Sequence, residues 1–410
     1  MIYAQYSKEE GWEDNGHYFL YKTKEIESLD DWTPEDKEPI FYYDRHDLAI
    51  RRIEFNNFLD FKQWKEFKTN PNANIVINFS DDYLNILDLK RIGRVIKIKG
   101  LDTSRIYFIA MDELFVQFIN EEFKKVGIKG VNVLSYPFLL KNVCAPPNFE
   151  EETTHKFSCL SRNYHPWRLG LYARLVKENL INDFNYSFHN IKPYSPDPDV
   201  TVEGMKSDLK NLKYPLTPEI NNWLKGIPYD IGSPGHKWDD VTYGAIYSAD
   251  FHLLIESHYD CYLDNIWAFA KEDYNEREFA PSFATEKTYK AINCKKPFIA
   301  VSTPYFLEGL KKMGYKTFSP YINESYDDMI DNKKRMKAIL DEVKRICTLP
   351  PNEYKELLNN IKPIIEHNFE LFAKYHANDT VRESKDFLYK ILPFQSNSMI
   401  IRKLNPSIYN

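Results

Sequence analysis

IYFIAMDELFVQFINEEFKKVGIKGVNVL, residues 106–134, changes its hydrophobic period twice. Ile106 to Met111 is a short apolar, β-branched run of the kind that forms a buried strand, and it closes on Asp112-Glu113. From Glu113 to Val126 the apolar residues Leu114, Phe115, Phe118, Ile119 and Phe123 fall at helical spacing. Gly130 to Leu134 then returns to a strand pattern. A helix between two strands is the crossover that parallel pairing requires, so the stretch predicts a βαβ unit. Upstream, Ile75-Val76-Ile77-Asn78-Phe79 predicts another buried strand, ending in Ser80-Asp81-Asp82, a helix-capping signal. Arg94 to Lys99 sets Val95, Ile96 and Ile98 among basic residues and predicts a further strand. The first 70 residues are polar and aromatic with weak periodicity.

Downstream, Ala145-Pro146-Pro147-Asn148 and the acidic run at 150–154 read as a linker. A second alternating series follows. Strands are expected at 156–160, 184–189, within 245–257, at 297–302 and at 315–318; helices at 167–179, 285–293, 305–313, 326–347 and 352–375. Pro166 stands at the first turn of the first of these helices, and Pro363 should kink the last. The proline-rich stretch 191–240 reads as a loop-rich insert. The expected fold class is therefore α/β, with two Rossmann-like domains facing each other across an interdomain cleft. Their spans are 1–148 and 155–375, and a tail at 376–410 packs back on the first. Ligands of such sheets bind beyond the carboxyl ends of the strands.

Composition narrows the function. Hydrophobic residues make up 43% and charged residues 28%, which excludes a mostly disordered chain. No apolar run approaches the roughly 18 residues of a membrane span, and the polar N-terminus carries no signal core. A soluble, cytoplasmic protein is expected (host cytoplasm for a virus). The five cysteines show no CxxC spacing, which argues against a disulfide framework or a zinc site. With 54 Lys and Arg against 60 Asp and Glu, no global basic excess advertises nucleic acid, although Arg91, Arg94, Lys97 and Lys99 form a local cluster. Only 14 glycines accompany 29 tyrosines and 27 phenylalanines, the usage of an AT-rich genome such as many viruses carry. The chain has no GxGxxG, Walker A, nucleophile-elbow or HExxH motif, which sets aside dinucleotide redox, NTP hydrolysis, serine hydrolysis and zinc proteolysis.

Phe283 to Phe318 carries the most chemistry. Thr285 is a helix N-cap, with Glu286 and Lys287 in the first turn. A helix N-terminus with a lysine suits a phosphate, and a carboxylate suits a ribose diol. The plain structural alternative is a cap and a solvated charge. In SRNYHPWR, residues 161–168, Arg162 and Arg168 flank the end of a strand, where guanidinium forks suit a diphosphate; otherwise they are loop arginines. Glu256 and Asp260 sit at a strand's carboxyl end, within reach of a donor sugar. His252 and His258 share a strand face with Glu256 and read as core or edge histidines before metal ligands. Asp197-Pro198-Asp199 matches a metal-binding DxD, but its proline-rich setting reads as a turn, so no metal is expected.

Phe283, Thr285-Glu286-Lys287, Ala291, Pro297-Phe298-Ile299 and the turn Gly314 to Phe318 together resemble the donor motif of fucosyltransferase-like glycosyltransferases of the GT-B fold, phage and bacterial relatives included. The resemblance covers roughly residues 155–350. It departs at Ser302-Thr303-Pro304-Tyr305, where many relatives carry small residues or glycine. It implies that Glu286 holds a ribose, that Lys287 holds the pyrophosphate and that Arg162 and Arg168 contact the donor diphosphate.

The expected activity is sugar transfer from a GDP- or UDP-linked donor, a co-substrate with no separate cofactor. The acceptor is a glycan or a hydroxymethylated base in phage DNA. Inverting transfer needs a carboxylate to deprotonate the acceptor. Asp82 and Asp112, with Asp81 and Glu113 beside them, are the candidates, each also a helix cap; Asp44 is the reserve. The competing expectation is a nucleotide- or sugar-binding protein without turnover.

Overall fold

The computed structural model describes residues 2–5, 23–26, 40–44, 67–79, 86–110, 113–135, 143, 153–191, 199–231, 238–256 and 284–377. It divides into two compact units, one within Met1–Lys141 and the other within Asn142–Glu276 and Ser282–Asn378. Each unit is built on a parallel sheet. The segment at 376–410 lies outside the described residues beyond Ala377, as does the linker at 144–152.

In the first unit, β1 (Ile2–Gln5), β2 (Thr23–Ile26), β3 (Ile40–Asp44), β4 (Asn74–Phe79), β5 (Ile106–Ala110) and β6 (Asn132–Ser135) form one sheet in the order β2-β1-β3-β4-β5-β6. Helix α1 (Ile86–Lys99) lies between β4 and β5 in the chain, and α2 (Glu113–Lys125) between β5 and β6. Register pairs Ile75 with Ile106 and Tyr107 with Asn132. The βαβ unit expected over 106–134 is present.

The strand expected at Arg94–Lys99 is instead the last half of α1. Leu89, Ile92, Val95 and Ile96 are buried at helical spacing, while Ile98 is 74% exposed, which no core strand would allow. Six residues were too short a window to tell the two periods apart.

In the second unit the strands β7 (His155–Asn163), β8 (Phe184–Ile191), β9 (Ala249–Ile255) and β10 (Phe298–Val301) run β10-β9-β7-β8, all parallel. Helix α3 (Pro166–Lys177) joins β7 to β8. Two helices, α4 (Val202–Asn211) and α5 (Pro218–Lys225), lie within the stretch expected as loop, and a third, α6 (Trp238–Tyr247), begins at its end. The prolines mark starts more than interruptions here. Thr217 caps α5 through the Ile220 N–H, and Pro218 takes the first helical position, where a missing N–H costs nothing. Met205, Leu209, Ile220 and Leu224 are fully buried.

Helix α7 (Glu286–Asn293) precedes β10, and α8 (Phe306–Lys312), α9 (Asn332–Thr348) and α10 (Pro351–Ala377) follow it. Helix α10 continues through Pro363. The helix expected from Tyr326 starts later, at Asn332, behind a 3-10 turn at Ser325–Asp328. The strand expected at Tyr315–Phe318 is absent. Its backbone groups are taken by side chains: buried Asn368 exchanges 2.8 Å bonds with the N–H and C=O of Lys316, and Glu324 accepts from Phe318 N–H at 2.7 Å.

Candidate donor site

The second sheet reverses direction beside β7. From β7 the chain moves to β8 on one side, then returns to β9 and β10 on the other. Ligands of open parallel sheets sit at such a reversal, outside the carboxyl ends of the strands. The expected donor residues Arg162, Arg168, Glu256, Thr285, Glu286 and Lys287 are carried by the ends of β7 and β9 and by the starts of α3 and α7.

On the β7 side, Arg162 is exposed near the strand's end. Pro166 opens α3, and the N-cap His165 makes no side-chain cap bond. Arg168, in the first turn, is only 6% exposed. Its Nη1 donates to Ser161 Oγ at 3.3 Å and to the Asn163 carbonyl at 3.4 Å, and its guanidinium lies 5.6 Å from the Trp167 ring centroid. The loop arginine expected here is thus a fixed group under the end of β7.

On the β9 side, Glu256 is fully buried. Its carboxylate accepts from the Thr285 N–H at 3.2 Å, from the Thr285 hydroxyl at 2.5 Å and from the Thr288 hydroxyl. Thr285 Oγ1 in turn accepts from the Lys287 N–H at 3.2 Å, as an N-cap should. Burial pushes the Glu256 carboxyl above its usual range, against the pull of Lys287 and the two threonines. The N-terminus of α7, expected as a phosphate seat, is therefore already capped and faced by a protein carboxylate.

Lys287 Nζ donates to Glu286 Oε1 at 2.7 Å, and both side chains remain about a third exposed, at 37% and 31%. Desolvation works to lower the Lys287 ammonium, but Glu286 and Glu256 outweigh it and hold it above its ordinary value. Desolvation likewise works to raise Glu286, and Lys287 overrides it to leave the carboxyl low. Both groups are ionised at neutral pH. Arg168 pulls weakly the other way on the Lys287 ammonium, and the two cations stand in the first turns of α3 and α7, which follow the neighbouring strands β7 and β9.

His252 is a core residue. Its Nδ1 lies 2.9 Å from Ser158 Oγ, and burial brings the imidazole down to about 4. Of the proposed bases, Asp82 and Asp112 lie outside the described residues, as do Asp81, His258, Asp260 and Asp197; Asp44 is the last residue of β3. Among the described residues no three His, Cys, Asp or Glu side chains group as a metal site, and no helix is long and apolar enough to cross a membrane.

The sequence did not single out two features. Asp327, 8% exposed, accepts from the Leu307 and Glu308 N–H groups at 2.9 and 3.1 Å and so caps α8 from twenty residues away. Tyr305 opens that helix with φ 64°. Only the departure at Ser302–Tyr305 hinted at either.

No model of a known protein family matches the chain, and no curated protein does. Several solved structures align with much of its length at low identity. A trehalose-6-phosphate protein from E. coli, bound with UDP-2-fluoro glucose, is 9% identical over 88% of this chain and 74% of that one, with a TM-score of 0.46. The DNA-modifying enzyme β-glucosyltransferase, studied with and without uridine diphosphoglucose, is 14% identical over 93% and 87%, at 0.37. The N-terminal domain of Candida albicans trehalose-6-phosphate phosphatase is 11% identical over 89% and 71%, at 0.45. All three scores lie below 0.5, and the fold assignment rests on the chain's own two parallel sheets.

Proposed function

We propose that this chain is a glycosyltransferase whose second unit binds a GDP- or UDP-linked sugar. The observation that carries the reading is the placement of Arg168 and of the Thr285-Glu286-Lys287 motif in the opening turns of α3 and α7, the helices that follow the neighbouring strands β7 and β9 at the reversal point of the second sheet. Fixed cations there neutralise a leaving diphosphate as the sugar–phosphate bond breaks. Glu286, ionised and part-exposed, accepts from the ribose hydroxyls. Glu256 is spent inside the α7 cap, so its part is to hold Thr285 and Lys287 in place.

In the inverting, metal-independent form of this reading, the first unit supplies the acceptor site and the base, at Asp82 or Asp112. The acceptor is a glycan hydroxyl or a hydroxymethylated base in phage DNA, and the setting is the cytoplasm.

The test is incubation with labelled UDP- and GDP-sugars, with and without EDTA, reading released nucleoside diphosphate. Turnover that survives chelation is expected. Binding without turnover would establish a non-catalytic nucleotide- or sugar-binding protein instead. Asp82→Asn and Asp112→Asn are to be compared for donor affinity and transfer separately. The base keeps the first and loses the second by about 10²–10⁴-fold.

A further inference from the structure

Among the described residues, four non-glycine positions hold positive φ: Asn179, Lys213, Lys295 and Tyr305. The first three follow the ends of α3, α4 and α7 by two residues, where a left-handed residue closes a helix in the ordinary way. Tyr305 does not. It stands before α8 with φ 64° and ψ 18°, a conformation that crowds the Cβ of any L-residue.

The surroundings impose this geometry. The Asp327 carbonyl accepts the Tyr305 N–H at 2.8 Å, the Asp327 carboxylate accepts from the Leu307 and Glu308 N–H groups, and the Tyr305 carbonyl accepts from the Gly309 N–H at 3.0 Å. Its neighbours Ser302, Thr303 and Phe306 are buried at 3%, 5% and 1%, while Tyr305 is 47% exposed. A strained backbone thus fixes one aromatic side chain in the open.

Its position is informative. The Val301 carbonyl at the end of β10 accepts the Glu256 N–H at 3.1 Å, which puts that strand end beside the α7 cap. Tyr305 is four residues further on, so its Cα lies within about 14 Å of Val301. We infer that Tyr305 stacks on the nucleobase of the donor. Aromatic faces bind bases of either kind through their π-surfaces, and strain tends to persist where it presets a binding group. The inference rests on the donor-site reading above and adds the residue that meets the base.

The test is calorimetry on the full chain with UDP, GDP and inorganic pyrophosphate, for the wild type and for Tyr305→Phe, Tyr305→Ala and Tyr305→Gly. The Ala and Gly variants should lose about fivefold to a hundredfold in affinity for the better-bound nucleoside diphosphate, keep their affinity for pyrophosphate, and be matched to wild type by Phe. Tyr305→Gly should melt about 2–4 °C above Tyr305→Ala, because it sheds the Cβ crowding. Equal affinity losses in two variants of unequal stability then separate stacking from folding. Unchanged nucleoside diphosphate affinity in Ala and Gly overturns the inference and leaves the donor site standing. A parallel loss of pyrophosphate affinity also overturns it, because the loop and not the ring is then at work. A wild type that binds neither diphosphate overturns the donor reading and this inference together.

Discussion

Helices α3 and α7 follow neighbouring strands of one sheet, yet their N-termini are finished differently. Helix α7 is closed by the protein: Thr285 caps it, and Glu256 holds Thr285 by its N–H and its hydroxyl. Helix α3 begins at His165 without a side-chain cap bond, has proline first, and carries the Arg168 guanidinium in its opening turn. One end has its own carboxylate, and the other presents a fixed cation. On the proposed reading, the α7 end is a rigid mount for Lys287 and Glu286, while the uncapped α3 end brings Arg168 to the same diphosphate.

The largest effect is expected where the mount is broken. Glu256→Ala leaves the Thr285 N–H and two hydroxyls without their buried acceptor, and removes a carboxylate facing Lys287. Losing one partner of a buried charged network costs about 3–5 kcal/mol, measurable by urea unfolding. A loss below about 1 kcal/mol would mean that the two helix ends are not different in kind.

A pH titration of stability probes the strand beneath. The His252 imidazole is down at about 4 in the fold, against 6.5 when free. Its contribution is therefore complete above pH 6.5 and lost as pH falls towards 4, by about 3 kcal/mol. Asp327 runs the other way. Burial lifts its carboxyl to about 6 from 3.8, so its contribution is complete below about pH 4 and fades as pH rises to 6. His252→Gln should flatten the acid-side loss, and Asp327→Asn should steepen it. Identical pH profiles in both variants would discount the two groups.

Ligand affinity sharpens the contrast further. Lys287→Ala should weaken nucleoside diphosphate binding by roughly tenfold to a hundredfold, the worth of a charge-assisted hydrogen bond. Stability should change by less than about 1 kcal/mol, since the Lys287–Glu286 pair is part-exposed. Normal affinity in the folded variant would take Lys287 out of the site. The smallest change is expected for Arg162→Ala, about threefold in affinity, because an exposed charge acts through screened solvent. An effect larger than that of Lys287→Ala would shift the diphosphate to the β7 edge outright.

What the sequence made legible was local. Ile75–Phe79 and 106–134 declare their elements because the periodic residues lie within a few positions of each other, and Thr285 announces a helix for the same reason. Val95, Ile96 and Ile98 misled because half a helix imitates alternation. Thr217-Pro218 was a cap signal hidden among prolines that also serve turns. Glu256 could be placed at a strand end but its part could not, since its partners are 29 and 32 residues away and only folding brings them together. Tyr305 has no sequence signature at all: left-handed geometry is imposed on it by Asp327.

The strand order of the second unit also sets a timetable. β7 pairs on one side with β8, which follows it closely, and on the other with β9, which begins only at Ala249. Roughly ninety residues separate Asn163 from that partner. At a synthesis rate of about 5–20 residues per second, one edge of β7 waits about 4–17 s for its neighbour on the ribosome. That edge runs along His155, Phe157 and Ser158, and an open strand of this kind pairs readily with any other chain nearby. Slower growth temperature or added chaperone during expression should therefore raise the yield of folded protein through this one interval.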